Sequence, residues 1–377
     1  MYIEFTDDYA SALNSQQEND LWEPIEHAYD AYKNKYHFIF CESRNCAIKI
    51  LKIAEKRNRN DIALLFKQIH DNFSQMGDIK ENLLVFASII PETNLLQLSC
   101  DKKEIQIGID LAKKSELWQK TIFLPEDIDD DCYFKMIIDS QKKKKNNPLC
   151  FLEYNYEPDN AGGSAAYRTL KTKGTQPHFV FGIFDSDCKN PDNPTKIGAT
   201  ASAVTSHKYP ETVSYIILNL HELENLFYSE AFITKYASKS YRKEILDNHN
   251  RLKRYNPEYE KYFDTKTGYT IKNAYSGCNF LFSFFEKDKV ECDVYQSHSQ
   301  KCQKCEECKV HIFKTCSGEI KAGLKKDFFD ETNHISKNIE DLIVLINHSP
   351  TFIQEEWERI FYNSISWFCY SSLEARA

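Results

Sequence analysis

Apolar runs and helix-forming segments alternate in the middle of the chain. Residues 149–152 (LCFL), 178–184 (HFVFGIF) and 213–220 (VSYIILNL) are runs of apolar residues. Between them, 164–173 and 195–206 have the composition of helices. Strands that alternate with helices are typical of βαβ units, so this pattern predicts a parallel sheet with buried strands.

The two ends of the chain differ from this middle part. Helical spacing at 21–35 and 47–67, together with apolar runs at 37–41 and 82–90, predicts a mixed α/β N-terminal domain. Near the other end, 336–346 and 354–368 have the spacing of amphipathic helices. The second of these has apolar residues at four- and three-residue intervals, which are predicted to be core: Trp357, Phe361, Ile365 and Phe368.

The clearest boundary in the sequence is the lysine run 142–145, which Pro148 follows. Four adjacent lysines repel one another and proline does not continue a helix, so the run is interpreted as a solvated linker or as a strip that contacts phosphates. The predicted fold class is α/β. The predicted segments are an accessory domain at 1–147, an acidic metal-site domain at 148–290, a cysteine-rich insert at 291–318 and a helical segment at 319–377.

Composition limits the class of protein further. The chain of 377 residues is 42% hydrophobic and 28% charged, which is typical of globular proteins of two or three domains. It has no apolar run near the ~20 residues of a membrane helix and no signal-peptide pattern at its start, so we expect a cytoplasmic protein without membrane contact. A net charge of −8 argues against a passive nucleic-acid coat protein, but not against a nuclease whose carboxylates hold metal.

Carboxylates follow each of the three predicted middle strands. Glu153 ends the first, Asp185 and Asp187 follow the second, and Glu222 and Glu224 follow the third. The carboxyl ends of parallel strands meet at one edge of a sheet, where the carboxylates would repel one another without a cation. Mg²⁺ or Mn²⁺ prefers such oxygen ligands, although turn and helix-cap roles would also suit these residues.

These motifs resemble a known family. GIFDSDCKNPDNP, IILNLHELENLF and YFDTKTGYTIK are similar to elements of TOPRIM nuclease domains in OLD-type and other bacterial anti-phage defence proteins. The resemblance covers about 149–275. It implies a parallel TOPRIM-like sheet in which Asp185, Asp187 and Glu153 hold Mg²⁺ or Mn²⁺. Glu222 or Glu224 would complete the metal shell, and Lys266 would stabilise phosphoryl charge.

The first glutamate of the motif has two candidates. The family's first strand ends in Glu-Gly, whereas Glu153 is followed by Tyr154. Glu42 also ends an apolar run before a helix-forming segment. Glu153 is preferred because it lies in the same predicted βαβ run as Asp185, and it would ligate metal or act as the general base.

Five of the 13 cysteines lie between residues 292 and 316. A local cluster in a cytoplasmic chain indicates metal binding before disulfides, and Cys-x-x-Cys spacing lets one loop supply two ligands to tetrahedral zinc. The cluster therefore predicts a structural zinc site of Cys302, Cys305, Cys308 and Cys316, in which Cys292 or a histidine could replace one member. An iron–sulfur cluster and unligated cysteines are the alternatives.

The leading functional hypothesis is a metal-dependent nuclease that cuts DNA or RNA. By resemblance, it would be an effector of prokaryotic anti-phage defence. The chain lacks a P-loop, so any ATPase, like any regulator, would be a partner protein. The alternative hypothesis is a non-catalytic interaction protein, in which the acidic residues are caps and the zinc knuckle binds a regulator or nucleic acid.

Overall fold

The computed structural model describes residues 1–13, 18–76, 79–101, 103–145, 147–189, 196–270, 311–330 and 339–370. The chain is α/β, and its sheets are dominated by parallel pairs. It divides into two compact units. The first contains Met1–Gly182, His207–Tyr215 and Glu358–Ala377, and the second contains Ile183–Ser206 and Ile216–Trp357.

A five-stranded sheet lies in the first unit, in the order β2-β1-β3-β5-β4. Only β4 is antiparallel to its neighbour. The strands are β1 (Tyr2–Phe5), β2 (Phe38–Cys41), β3 (Phe86–Ile89), β4 (Leu96–Leu98) and β5 (Glu104–Ile107). Strands β1, β2 and β3 are buried along their whole length, as expected for a parallel sheet that is covered on both faces.

The helices of this unit are amphipathic, but the helical stretch predicted at 47–67 is divided between two helices by a turn at 57–59. Ser43 caps α3 by accepting a hydrogen bond from the backbone N–H of Cys46 at 3.1 Å. The buried residues of α3, among them Ala47, Ile50 and Ala54, recur at helical spacing. The helices are α1 (Asp7–Ala12), α2 (Glu18–Lys33), α3 (Arg44–Lys56), α4 (Asn60–Met76), α5 (Ile79–Asn82), α6 (Ile109–Ala112), α7 (Asp131–Lys142) and α8 (Ala166–Lys173).

A second sheet has four strands in the order β10-β9-β6-β8. The strands are β6 (Ile122–Pro125), β8 (Glu157–Pro158), β9 (Val180–Phe184) and β10 (Val213–Ile217). The backbone N–H of Val180 donates to Thr212 at the start of β9, and that of Leu218 donates to Phe184 at its end, so β9 and β10 run parallel. The predicted strands at 178–184 and 213–220 are therefore present.

The predicted strand at 149–153 is wrong. Residues 149–151 form turns, and Asn147 accepts a hydrogen bond from the backbone N–H of Leu149 at 2.9 Å. Glu153 lies in a short strand, β7 (Glu153–Tyr154), which pairs antiparallel with β13 (Cys369–Tyr370). The apolar side chains of 149–152 indicated burial, but the Asn-Asn-Pro sequence before them favours a turn.

The remaining elements are mostly helical. They are α9 (Ala199–Ser206), α10 (Glu230–Tyr236), α11 (Arg242–Tyr255), α12 (Ser317–Phe328), α13 (Ile339–Asn347) and α14 (Thr351–Phe368), with strands β11 (Tyr269–Thr270) and β12 (His311–Phe313). Helices α13 and α14 confirm the prediction for the end of the chain. The four apolar residues of α14 that were predicted to be core are all buried: Trp357, Phe361, Ile365 and Phe368.

Candidate metal centre

The segments that leave β9 and β10 run side by side within the second unit. Ser186 Oγ donates to the carbonyl of Leu220 at 2.6 Å. The backbone N–H of Asp187 donates to the carbonyl of His221 at 2.8 Å. These bonds hold the Asp-Ser-Asp segment against the His-Glu-Leu-Glu segment, as the parallel arrangement predicted.

A short 3₁₀ helix, Leu223–Phe227, orients the two glutamates. Asp185 Oδ1 accepts a hydrogen bond from the backbone N–H of Leu223 at 2.9 Å. Glu222 and Asn225 form a reciprocal capping box, in which the backbone N–H of Glu222 donates to Asn225 Oδ1 at 3.2 Å. Asp185 and Glu222 thus satisfy backbone donors at the start of the helix and are held close together by it.

Three carboxylates converge at this point. Asp185, Glu222 and Glu224 each place one oxygen within 4.8 Å of those of the other two. Glu222 and Glu224 are buried and Asp185 is half-buried. Buried carboxylates need a positive charge or hydrogen-bond donors close by, so the positions of nearby lysines are informative.

Two lysines supply this charge. Lys266 Nζ lies 3.2 Å from Glu222 Oε2, 3.2 Å from Glu224 Oε2 and 3.8 Å from Asp185 Oδ2. Lys321 on α12 lies 2.9 Å from the other oxygen of Glu224, Oε1. Lys266 and Glu224, both predicted site residues, are therefore in direct contact, and Lys321 is an addition that the sequence did not indicate.

Burial and charge shift the pKa values in opposite directions. Burial raises the pKa of Glu222 to about 7, although the Lys266 ammonium acts against this shift. Burial also lowers the pKa of Lys266, but the carboxylates of Glu224, Glu222 and Asp185 outweigh that effect and raise it well above its usual range. Lys266 is thus cationic at neutral pH, whereas the carboxyl group of Glu222 loses its proton at a pH close to 7.

A second group of potential ligands shares Glu222 with the first. One ring nitrogen of His221 and one oxygen each of Glu222 and Asp264 lie within 4.8 Å of one another. Lys189 Nζ lies 3.5 Å from Asp264 Oδ2. His221, Asp264 and Lys189 are not among the predicted site residues. The available signals were that His221 adjoins Glu222 and that Asp264 precedes Lys266 by two residues.

Asp187 does not have the extended backbone that would place its side chain on the same side of the segment as that of Asp185. Its φ of 51° lies in the left-handed region, and it is in neither ligand group of the described residues. Its carboxylate packs against Gly198, where a Cβ atom would overlap it. Asp187 is half-buried and lies beside the centre.

The two candidates for the first glutamate lie in the first unit. Glu153 forms an ion pair with Lys142 at 2.7 Å. Glu42 follows β2 and accepts a hydrogen bond from the backbone N–H of Asp7 at 2.8 Å. Neither belongs to a ligand group of the described residues. A metal-binding role for Glu153 stays a prediction. It is no longer supported by a parallel strand that ends at Glu153, because β7 is antiparallel to its partner.

Of the predicted zinc ligands, only Cys316 lies among the described residues. It is buried directly before α12, and burial raises the pKa of its thiol to about 12. The zinc site stays a prediction. Its other proposed ligands lie outside the described residues: Cys292, Cys302, Cys305 and Cys308.

Comparisons of the chain with protein-family models, curated proteins and solved structures give no match. The similarity to TOPRIM domains therefore depends on the motifs alone.

Among the helices in the described part of the chain, none has the length and apolar composition needed to cross a membrane.

The donor set fits a hard divalent cation. All three ligands of the first group are carboxylates, which Mg²⁺ and Mn²⁺ prefer. Glu224 Oε2 is buried and receives no hydrogen bond. Lys321 engages Oε1, whereas Oε2 faces the Lys266 ammonium at 3.2 Å.

Proposed function

We propose that this protein is a metal-dependent phosphodiesterase that cleaves DNA or RNA. The observation that carries the proposal is the convergence of Asp185, Glu222 and Glu224 around the ammonium of Lys266. Carboxylates that can hold a divalent cation, next to a lysine that can contact phosphate, are the groups that phosphodiester hydrolysis requires.

Each residue has a role in this proposal. Asp185, Glu222 and Glu224 bind Mg²⁺ or Mn²⁺ through oxygen. When bound, such a cation polarises a phosphoryl oxygen and lowers the pKa of a water ligand. Lys321 holds Glu224 by Oε1 and thereby directs Oε2 toward the cation.

Lys266 has a second position available to it. Its side chain is 47% exposed. With a divalent cation on the carboxylates, the Lys266 ammonium would turn toward solvent and stabilise the charge on the non-bridging oxygens of a phosphodiester. That position would give Lys266 the phosphate-binding role that the Asp-x-Lys-x-Gly resemblance implies.

The TOPRIM-like arrangement, the role in anti-phage defence and a partner ATPase or regulator belong to the same proposal. They are supported by the similarity of GIFDSDCKN and NLHELENLF to the motifs of that family.

Cleavage assays on supercoiled plasmid DNA and on tRNA test the proposal. Wild type is compared with the double variant Asp185→Asn/Glu224→Gln in Mg²⁺, in Mn²⁺ and in EDTA. The matched control is Glu244→Gln, which removes a half-exposed carboxylate of the same unit that pairs with Lys314. We expect wild type and the control to cleave one substrate only with metal, and the double variant to be inactive. Cleavage in EDTA, or equal cleavage by the double variant, would contradict the proposal.

A further inference from the structure

Four aromatic side chains of the first unit lie outside the proposed metal centre and outside the buried core. They come from two segments that are far apart in sequence, α8 and the chain around the start of β10. One of them, His207, is exposed, and the three tyrosines are half-buried. We call this set the aromatic strip, and its members are Tyr167, His207, Tyr209 and Tyr215.

Close packing holds the two segments together. A Cβ atom on Gly174, which follows α8, would lie 2.8 Å from a methyl carbon of Val213 and 3.2 Å from the ring of Pro210. A side chain at this position would force these groups apart, so glycine permits α8 to approach the chain before β10. The backbone N–H of Val180 in β9 donates to the carbonyl of Thr212 at 2.9 Å and fixes the same segment. The position of the aromatic strip thus follows from the packing of the two segments.

Two ring contacts form within the aromatic strip. The rings of Tyr167 and His207 stack with centroids 4.5 Å apart and an angle of 26° between their planes. The rings of Tyr209 and Tyr215 meet edge to face, with centroids 5.8 Å apart. Lys208 alone separates the two pairs along the chain. Rings that are accessible to solvent in this way offer flat apolar faces on which nucleobases stack.

The aromatic strip belongs to a locally basic part of an acidic chain. The segments 166–174 and 207–215 together contain four cationic side chains and one carboxylate, that of Glu211, although the net charge of the chain is −8. One of the cations, Lys173, pairs with Asp159 at 2.6 Å. The other three are exposed and form no ion pair with a carboxylate within the ranges that the structure describes: Arg168, Lys171 and Lys208.

Arg168 connects this charge with the rings. Its Nε atom donates to the hydroxyl oxygen of Tyr167 at 2.7 Å, and its guanidinium carbon lies 5.4 Å from the centroid of that ring. The guanidinium retains further N–H donors, which can bind a phosphate. Accessible rings for bases and cations for phosphates are the two features by which proteins bind single strands, whereas a duplex keeps its bases stacked inside.

We propose that the aromatic strip binds single-stranded nucleic acid, with bases stacked on its rings and phosphates in contact with Arg168 and Lys208. The inference rests on the proposed function, because it specifies the nucleic acid that this protein acts on as single-stranded. A base on the exposed ring of His207 would extend the stack that Tyr167 begins. A paired base cannot reach this ring without leaving its duplex, so binding favours single strands.

Equilibrium binding in EDTA, measured by fluorescence anisotropy, tests the inference on the full-length chain without any cleavage. The probes are a labelled single strand of about 12 nucleotides, as DNA and as RNA, and the duplex of each. We expect at least one single strand to bind at least about tenfold more tightly than its duplex. The comparison of DNA with RNA shows which sugar the surface accepts.

Variants of the exposed His207 ring separate stacking from folding. His207→Ala should weaken single-strand binding about tenfold, because one stacked base is lost, whereas His207→Phe keeps a flat ring and should retain the affinity. A 2-aminopurine base in the probe loses fluorescence when it stacks, and this quenching should decrease in His207→Ala and persist in His207→Phe. The control is Tyr36→Ala, which removes another half-buried tyrosine of the same unit, 5.7 Å from Lys120 Nζ, and should bind as wild type does.

The salt dependence of binding tests the phosphate contacts. Each contact with a phosphate of a single strand contributes about 0.7 to the slope of log affinity against log salt concentration. The double variant Arg168→Gln/Lys208→Gln should therefore reduce this slope by about 1.4. The matched control is Lys52→Gln/Lys67→Gln, which removes two exposed lysines from α3 and α4 of the same unit and should leave the slope unchanged.

The outcomes separate this inference from the proposed function. Equal single-strand affinity in wild type and His207→Ala, or tighter binding of the duplex, would overturn the inference, and metal-dependent cleavage in the same preparations would leave the nuclease in place. Single-strand binding that His207→Ala weakens, in a chain that cleaves nothing with Mg²⁺ or Mn²⁺, would support the aromatic strip and count against the nuclease. Absence of both nucleic-acid binding and cleavage would overturn both proposals.

Discussion

The ammonium of Lys266 lies 3.2 Å from Glu224 Oε2, the buried oxygen that receives no hydrogen bond. Lys266 also contacts Glu222 and Asp185, so it lies against the same three carboxylates that would bind a metal ion. A lysine in this place keeps the carboxylates together when no metal is bound. It also competes with the metal for them.

Replacing Lys266 should therefore separate metal binding from cleavage. In Lys266→Met we expect Mn²⁺ to bind about tenfold more tightly, because the cation no longer has to displace the Lys266 ammonium from the three carboxylates. Cleavage should fall by about 100-fold, since the charge that stabilises the phosphoryl oxygens is lost. Calorimetry and single-turnover cleavage measure the two effects.

Lys266→Arg is the matched control, because it keeps the charge and should restore most of the cleavage rate. Weaker Mn²⁺ binding in Lys266→Met would show that Lys266 supports the metal site and does not compete with the cation.

Asn225 should be needed for both stability and metal binding. It is fully buried, accepts the backbone N–H of Glu222, and donates to the carbonyls of Glu260 and Phe263. Asn225→Ala leaves these buried groups unpaired, so the free energy of unfolding should fall by roughly 2–4 kcal/mol. Denaturant unfolding of Asn225→Ala measures the loss. Asn256→Ala removes only the hydrogen bond that this half-buried side chain accepts from the backbone N–H of Glu258, and should cost about 1 kcal/mol or less. Equal losses in the two variants would argue against this role.

Gly198→Ala tests Asp187 without changing its charge. The added methyl group would overlap the Asp187 carboxylate and displace it. If Asp187 contributes to the centre, cleavage by Gly198→Ala should fall toward that of Asp187→Ala, with a change in unfolding free energy of about 1 kcal/mol. Gly318→Ala is the control, since its methyl group would meet no atom within 4 Å. Full activity in both Gly198→Ala and Asp187→Ala would remove Asp187 from the site.

Glu260 should make the protein less stable as pH rises. This carboxylate is fully buried, neither of its oxygens receives a hydrogen bond, and burial raises its pKa to about 7 from a usual 4.5. The folded state therefore holds this proton between pH 4.5 and 7 while the unfolded state releases it. The stability contributed below pH 4.5 is lost as pH increases to 7, by about 3 kcal/mol.

The measurement is the free energy of unfolding against pH in wild type and Glu260→Gln. His249, whose Nε2 atom lies 3.7 Å from Glu260, has a pKa lowered to about 4 by burial. It changes stability in the opposite direction between pH 4 and 6.5, so the difference between the two curves is compared above pH 6.5, where His249 is neutral in both the folded and the unfolded state. Parallel curves would show that Glu260 is not a buried acid of raised pKa.

The carboxylate pairs were predictable because each follows an apolar run in the sequence, at 178–184 and 213–220. Strands β9 and β10 are continuous apolar runs, and the carboxyl ends of parallel strands meet. The convergence of Asp185 with Glu222 and Glu224 follows from those local patterns. Lys266 lies in a turn some forty residues later in the chain. The motif resemblance indicated a role for this residue, whereas the periodicity of apolar residues could not predict its contact with the carboxylates.

The neighbour of β9 could not be found from chain order. Residues 149–152 are apolar and adjacent in sequence, but the strand beside β9 is β6, which lies earlier in the chain and is followed by Glu126. Strand pairing over such a separation is decided by tertiary packing. The left-handed backbone of Asp187 and the meeting of His221 with Asp264 have the same origin, since both depend on contacts between loops.

The most direct test of the central claim is the rate of single-turnover cleavage against Mg²⁺ concentration in wild type and in Glu224→Gln. This variant keeps the shape of the side chain and removes the charge that faces Asp185 and Lys266. We predict that the wild-type rate saturates with Mg²⁺, and that Glu224→Gln needs at least about tenfold more Mg²⁺ to reach its half-maximal rate. Identical Mg²⁺ dependence in the two proteins would contradict a metal centre at Asp185, Glu222 and Glu224.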